Sequence, residues 1–521
     1  MLRNEPHIRG RKRIKHAEAR ARGRALLRPG EKGFKFGGIQ LPSKAPNQGT
    51  FCMGAQGSGK SVTLQLFMDQ AFVENQSACG LIHDYKMELH AFLRWRGIKD
   101  DEIKILNPFD RRCVGWDIQK DCIDKATAAE IALGFVPPNL KEASPFFRNG
   151  ATFVFRDVLR FFMYEAEADP SLKWGLHHVL AALQDKDVLI AMFTKYPRLS
   201  KSIRYVDRPN DDILATLYTH TDLIEPIAGL WRGKELISFR EWRRQEKRWI
   251  LVLGNDTQRE DTVQRLNAVL AQQAMKAILD NSVKVTRDTS LILDEFHAIH
   301  RIHNFERFVN TIRSYRGNLY LATQDINQLF ATYGRENTNS IIQGCANKVF
   351  LLCEGDAAKW AEEQIGKEER LKESESISYD GAQLRKTKGK VANPETVVMK
   401  EEIEKLTGCS KERGLDAFYL SSSITDVYHH RMPFEAFEHV WPTPKIEPDF
   451  DVETSSSKQE IDPLTPEELE EFGIVLEQKQ DLLENQVQSE TTTQKTSKAM
   501  SEKAAFSEAK KPKQARSLDI R

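Results

Sequence analysis

The sequence predicts an α/β protein in which a parallel sheet flanked by helices is interrupted by an all-α insertion. Three observations carry this. Residues Gly54 to Ser61 read Gly-Ala-Gln-Gly-Ser-Gly-Lys-Ser, set between an apolar strand and an apolar-periodic helix. Strand and helix patterns alternate around that octapeptide. From about Ile123 to Trp231 the strand signal all but vanishes and helical periodicity takes over.

The octapeptide is a complete phosphate-binding loop. Its glycines let the backbone curl so that successive N–H groups face an anion, and Lys60 adds a point charge. Gly54, Ala55, Gln56, Gly57, Ser58, Gly59, Lys60, Ser61 and Val62 are therefore candidate nucleotide contacts, with Ser61 also a candidate ligand for Mg²⁺. The helix from Val62 to Ala71 would turn its N-terminus toward the phosphates of ATP.

Three strand–helix units open the fold: the loop unit, then Cys79 to Asp84 with a helix near Met87 to Arg96, then a strand from Glu102 to Leu106 ending in Asn107-Pro108. The helical stretch breaks at Pro137-Pro138, Pro170 and Pro209, and Phe146 to Glu165 reads as one amphipathic helix. Strands resume at Trp249 to Gly254, Leu291 to Leu293, Leu319 to Ala322 and Val349 to Leu352, with a long helix from about Asp261 to Leu279. Charged residues 368–400 suggest an exposed loop.

The totals bound the class. A chain of 521 residues predicts about two to four domains. The net charge of +1 hides segregation, because residues 1–32 carry eleven Lys or Arg against three Glu. After about Asp449 the chain is polar and poor in aromatics, so both ends read as poorly foldable alone. The seven cysteines are scattered without a Cys-x-x-Cys pair, which argues against zinc or a disulfide framework and for a reducing cytosol. No secretory signal or membrane-length apolar run is expected.

A hydrolase needs acids opposite the loop. Leu291-Ile292-Leu293-Asp294-Glu295 is an apolar strand ending in two of them: Asp294 is placed to hold the Mg²⁺ shell and Glu295 to polarise an attacking water. The next strand ends at Gln324, suited to sensing the γ-phosphate or that water, or alternatively to capping the following helix. Arg313 and Arg316 lead into the same strand. One of them could reach across a subunit boundary to steady transition-state charge, or both could be solvated. No guanine-reading motif occurs, and a single loop with a single acid pair disfavours a two-core helicase.

These residues resemble the coupling-protein ATPases of bacterial type IV secretion and conjugation, the TraD/TrwB/TraG group. The likeness runs from about Gly38 to Leu420. It rests on Gly38-Ile-Gln-Leu-Pro42, on Asp84-Tyr-Lys86, and most specifically on Ile105-Leu-Asn-Pro-Phe-Asp-Arg-Arg-Cys-Val-Gly-Trp-Asp117. Arg313 to Gln324, Asn327-Gln328-Leu329 and Tyr333-Gly334 add to it. The resemblance implies a RecA-like P-loop domain carrying an all-α insertion, with ATP and Mg²⁺ as cofactors. Lys60, Ser61, Asp294, Glu295, Arg313 and Gln324 carry over as site residues, with the choice between Arg313 and Arg316 for a role in trans left open. It also implies a hexameric ring that engages DNA, with relaxase or accessory proteins and secretion-channel components as partners.

The expected division is a basic arm over residues 1–36, a nucleotide-binding domain over 37–122 and 232–445, the all-α domain over 123–231, and a polar, largely disordered tail over 446–521. The sequence departs from the family at two places. A basic segment stands where typical members begin with transmembrane helices, and Gln48 stands where some relatives have an arginine. The expected location is cytoplasmic or peripheral at the inner face of the plasma membrane, attached indirectly or through the basic arm.

Arg9 to Arg28 could bind DNA or lipid phosphates, or form a solubilising arm. Thr465-Pro466-Glu467-Glu468 signals one isolated helix whose Leu469, Phe472 and Leu476 could dock on a partner, or which could be a transient solvated helix. The tail is expected to recruit a protein. Two other functional readings stay open: a cytosolic double-stranded DNA translocase for segregation or packaging, and a nucleotide-gated substrate adaptor with slow ATPase activity.

Overall fold

The computed structural model describes residues 7–137, 145–207, 212–280, 282, 287–380, 383–443 and 460–476; side chains are described outside 372–388. Pro138, Pro209 and the tail beyond residue 476 lie outside the described residues.

The centre is a ten-stranded sheet. Its strands are β1 (Arg13–Ile14), β2 (Thr50–Met53), β3 (Cys79–His83), β4 (Ile103–Ile105), β5 (Ile250–Leu253), β6 (Thr289–Leu293), β7 (Gly317–Thr323), β8 (Asn347–Phe350), β9 (Leu415–Ser421) and β10 (Val427–Met432). They lie in the order β4-β5-β3-β6-β7-β2-β8-β9-β10-β1. Everything from β4 to β8 is parallel, while β9 runs antiparallel to both β8 and β10. The central strands are apolar on both faces, as a sheet covered by helices on both sides requires. Successive residues alternate between two cores: Phe51, Leu291 and Leu319 point to one, Cys52, Ile292 and Tyr320 to the other.

Between residues 125 and 231 all described regular structure is helical, including α-helices at Lys125–Phe135 and Phe146–Ala168. The longer helix extends the expected amphipathic one by three residues and buries Ala151, Val154, Phe155, Val158, Leu159 and Phe162 on its inner stripe. This layer continues one of the two sheet cores. Its entry and exit are clamped together. Gly115–Trp116 pairs in parallel with Leu236–Ile237. The buried Asp121 accepts hydrogen bonds from Trp116 Nε1 (2.7 Å), Ser238 Oγ (2.6 Å) and the amides of Phe239 and Arg240. The Trp-Asp end of the most family-like segment is thus the gateway of the insertion.

Three expectations need correction. Residues 7–25 are folded onto the body. His7–Gly10 adds a strand to a hairpin, β1 joins the main sheet, and His16–Ala25 is a helix whose Ala19 is fully buried. The arginines find acids hundreds of residues away, which local composition cannot reveal. Arg9 pairs with Glu369, Arg13 with Glu402 and Arg22 with Asp426, while Arg11 donates to the carbonyls of Gln364 and Ile365. Lys15, Arg20, Arg24 and Arg28 remain exposed.

Residues 367–396 are a hairpin of two fourteen-residue strands, Lys367–Asp380 and Gln383–Thr396, and not a loop. Its sequence is too charged to show the apolar alternation that signals a strand. Residues 460–476 are also ordered. Their helix, Pro466–Glu471, packs Phe472 edge-on against Phe162 of the insertion at 5.0 Å, so it docks on its own chain.

Asp426 ties the N-terminal segment down, accepting from the Lys12 amide and from Arg22, each at 2.8 Å. Asp426→Ala should cost about 2 kcal/mol and speed tryptic cleavage at Arg20 and Arg24. Unchanged melting and unchanged cleavage would show that the segment is held elsewhere.

Candidate nucleotide-binding site

Strands β2, β7 and β6 are neighbours, so the loop, Gln324 and the acid pair end at one edge of the sheet, where parallel sheets place their ligands. The loop is anchored at both ends: Gly54 N donates to Thr323 O (3.3 Å), Ala55 N to Leu352 O (2.8 Å) and Cys409 N to Gly57 O (3.0 Å). Gly59 has a φ of 103°, and a Cβ there would lie 2.3 Å from Leu415 Cδ1. Glycine is needed at that position. The helix Lys60–Met68 starts directly after it.

The loop and Gln324 line a cavity of about 840 Å³ that also takes in Gln65, Tyr85, Lys86, Asn255, Asp256, Thr257, Cys409 and Trp441, whereas Asp294 and Glu295 are not among its lining residues and reach it through Lys60. Ala55, Gln56, Gly57, Gly59, Lys60, Ser61, Val62 and Gln324 lie on its wall. Gly54 and Ser58 sit behind it, the hydroxyl of Ser58 filling the space a Cβ on Gly54 would need.

Lys60 is buried and forms an ion pair with the equally buried Glu295. The other oxygen of Glu295 accepts from the Gln324 amide at 2.9 Å and faces His297 Nδ1 at 3.1 Å. Glu295 holds a left-handed backbone (φ 49°), uncommon for a residue with a Cβ, which turns its carboxylate back over the loop.

The two acids titrate apart. Burial pushes Asp294 up to about 6, against the opposing charge of Lys60. Burial would also raise Glu295, but His297, Lys60 and the Gln324 amide hold it down at about 2. The environments of adjacent carboxylates thus separate a readily protonated group from a persistently ionised one. Behind them, His83 Nδ1 lies 2.6 Å from the Asp294 carbonyl, and burial lowers the imidazole to about 4.

The donors suit a Mg-nucleotide. Among the described residues, the buried Asp294 Oδ1 and Ser58 Oγ have no hydrogen-bond partner, and Asp294, Ser61 and Lys60 supply the oxygen ligands and cation such a group needs.

Arg313 is not at this site within its own chain. It is exposed and precedes the seven-residue β7, whose far end leads into Gln324, so about 23 Å of strand separates them. Arg316 pairs with Asp288 at 2.8 Å, at the same remote edge. Gln48 likewise precedes β2 and bonds Ser422.

Sequence reasoning missed His297, Trp441 and residues 255–257. His297 follows the acid pair by two positions, a spacing that carries no signal of its own. The others reach the cavity only through tertiary folding, Trp441 being held near by the Gln65–Thr443 hydrogen bond (2.9 Å).

Glu295→Gln should free Lys60 and leave nucleotide affinity unchanged or tighter, whereas Lys60→Ala should weaken it at least ten-fold, by calorimetry with an ATP analogue. Asp294 has a raised carboxyl, so the native state takes up a proton as pH falls through about 6. That uptake adds stability between about pH 6 and the unfolded value near 4, while Glu295, held low, loses its contribution progressively as pH falls from its unfolded value of 4.5 to about 2. Mg²⁺-dependent nucleotide binding should therefore weaken from pH 7.5 to 5.5 as the apo protein gains stability; a flat binding profile would remove Asp294 from the metal shell.

Comparison with known proteins places this geometry. Residues 33–424, well over half of the chain, match the family described as the type IV secretion-system coupling protein DNA-binding domain. Coupling protein TraD of Escherichia coli (strain K12) is 24% identical over 418 residues, covering 77% of this chain and 54% of TraD. The chain thus spans about half the length of the curated relative it matches. Plasmid coupling protein TrwB in complex with ADP and Mg²⁺ has a TM-score of 0.64 at 16% identity, covering 85% of this chain and 97% of that one. TrwB with the non-hydrolysable ATP analogue ADPNP gives 0.64 at 15%, over 86% and 97%. At such identities the structures speak for the fold, a RecA-like nucleotide-binding domain with a helical insertion. The chain belongs to the type IV secretion-system coupling-protein family.

Proposed function

We propose that this chain is an ATP-hydrolysing coupling protein that moves DNA or a nucleoprotein toward a type IV secretion channel. The observation that carries the reading is the convergence of the phosphate loop, Asp294-Glu295 and Gln324 at one sheet edge, in a chain of this family. The relative TraD is named a coupling protein, and TrwB has been captured with ADP and Mg²⁺.

In this reading the loop amides and Lys60 hold the phosphates. Ser61 and Asp294 hold Mg²⁺, which would neutralise phosphate charge. Glu295 polarises the attacking water, kept ionised and aimed by His297 and the Gln324 amide. Gln324 orients the water or senses the γ-phosphate.

Arg313, remote from its own site, serves the neighbour's site in a ring, which the family resemblance puts at six subunits. An arginine in that role is worth roughly 10³-fold or more in rate. Basal turnover of an isolated subunit is accordingly low, because Lys60 rests on Glu295 and the trans arginine is absent.

The partners proposed are DNA, a relaxase or accessory protein, and secretion-channel components. The proposed units are a nucleotide-binding body of residues 37–122 and 232–445 carrying the helical insertion 123–231. No described helix is long and apolar enough to cross a membrane. We place the chain in the cytoplasm or against the inner face of the membrane, where the exposed Lys15, Arg20, Arg24 and Arg28 could contribute.

ATP hydrolysis by the purified protein, with and without single- and double-stranded DNA, tests this beside Glu295→Gln. DNA stimulation that is lost in the variant is expected. Slow hydrolysis indifferent to DNA in an assembled oligomer would favour a nucleotide-gated adaptor. Arg313→Ala should be as inactive as Glu295→Gln, yet mixing the two should restore activity, because each supplies what the other lacks. If the mixture stays inactive, Arg313 does not act in trans.

A further inference from the structure

The segment 460–476 holds six acids (Glu460, Asp462, Glu467, Glu468, Glu470, Glu471) and neither Lys nor Arg. Its short helix is capped at both ends by its own sequence. Thr465 and Glu468 form a reciprocal capping box with Pro466 in the first turn. At the other end Gly473 (φ 57°) lets the Ile474 amide reach back to the Leu469 carbonyl at 2.8 Å, a Schellman closure. Six residues are too few for a helix to persist on hydrogen bonds alone, so both caps and the docking surface are needed.

That surface is a groove across the insertion. Phe472, Ile474 and Leu464 are buried, with Phe472 set between the rings of Phe162 and His178 (5.0 and 5.2 Å). Polar contacts fix the register: Lys195 Nζ donates to the Phe472 carbonyl (3.1 Å), the Ile461 amide to Glu225 (2.8 Å), and His178 lies 3.6 Å from Glu468. Three side chains of the seventeen residues are deeply buried, with Ile461 and Leu469 partly buried beside them, and a cavity of about 390 Å³ is lined by His177, Arg232 and Lys234 together with Asp462 and Glu468. Residues 444–459 join the segment to the body in sequence.

We propose that residues 460–476 are a removable internal ligand. They fill a peptide-docking groove on the helical insertion whose chemistry selects an acidic, doubly capped helix followed by an aromatic-Gly-aliphatic step. Release of the segment opens the groove to a competing segment of the same pattern from a partner protein. This does not rest on the nucleotide reading, and its test needs no ATPase activity.

The test uses the full chain and a fluorescently labelled peptide of residues 460–476. Phe472→Asp in the chain should raise peptide affinity at least ten-fold over wild type, because the internal copy no longer competes, and a peptide carrying the same substitution should not bind. Failure of the peptide to bind the variant chain, or equal binding to both chains, would overturn the proposal. Should the variant not fold, amide exchange in the wild-type chain decides. Exchange across residues 465–474 should be much faster than inside the helix Phe146–Ala168, and equal protection would make the segment a fixed part of the fold.

Discussion

The ends of three adjacent parallel strands, β2, β7 and β6, lie at one level, and the chemistry of the molecule is built on that edge. The register pairs Thr323 with Met53 and Leu321 with Leu293, so the residues that follow each strand emerge side by side. A one-residue slip would turn every apolar side chain of a strand to the opposite core and misplace Glu295 against Lys60. Because both faces are buried, the register is tightly specified, and the candidate site inherits that precision.

The Lys60–Glu295 pair is the second consequence of the same geometry. Burying two charges is costly unless each is matched and its remaining hydrogen-bonding capacity is used. Glu295 meets this with the Gln324 amide and His297, and Lys60 meets it with Glu295 alone. A nucleotide that takes Lys60 onto its phosphates would remove one partner from Glu295 and leave two, so the carboxylate stays ionised and positioned. Lys60 and Glu295 thus compensate each other's charge, and Glu295 keeps two further partners. Asp294, lacking comparable partners, shows the cost directly in its raised carboxyl.

The order in which the chain became legible follows the range of the forces involved. The phosphate loop, the central strands and Phe146–Ala168 are written in local periodicity, and the sequence placed them within a few residues. The acid pair was legible because an apolar strand ending in two acids needs no long-range information. The N-terminal segment and the hairpin 367–396 were not, since their stability comes from pairing with residues far along the chain. Glu369 and Asp426 are several hundred residues from Arg9 and Arg22. A charge-rich stretch reads as solvated until its counter-charges are known, and no single-sequence pattern supplies them. His297 is a different case: its spacing was visible, but a histidine two residues past an acid pair carries no signal until the left-handed turn at Glu295 folds them together.

The insertion is best understood through its clamp. An inserted domain with a core of its own would be free to move about its two connecting strands. Here those strands pair with each other, Asp121 ties them to the start of the returning helix, and the helical layer shares its apolar core with one face of the sheet. The helical layer and the sheet therefore share one close-packed interior, which resists local deformation more than two separately cored units would. The stretch of chain from the cavity to the clamp is short. Asn107, at the end of β4, bonds the Asn255 carbonyl on the cavity wall, and Phe109 lies under Arg259, which pairs with Asp256. Eight residues after Asn107 the chain enters the Gly115–Trp116 strand of the clamp. The family-like Asn-Pro…Trp-Asp segment is thus the piece of chain that runs from beside Asn255, on the cavity wall, to the clamp of the insertion.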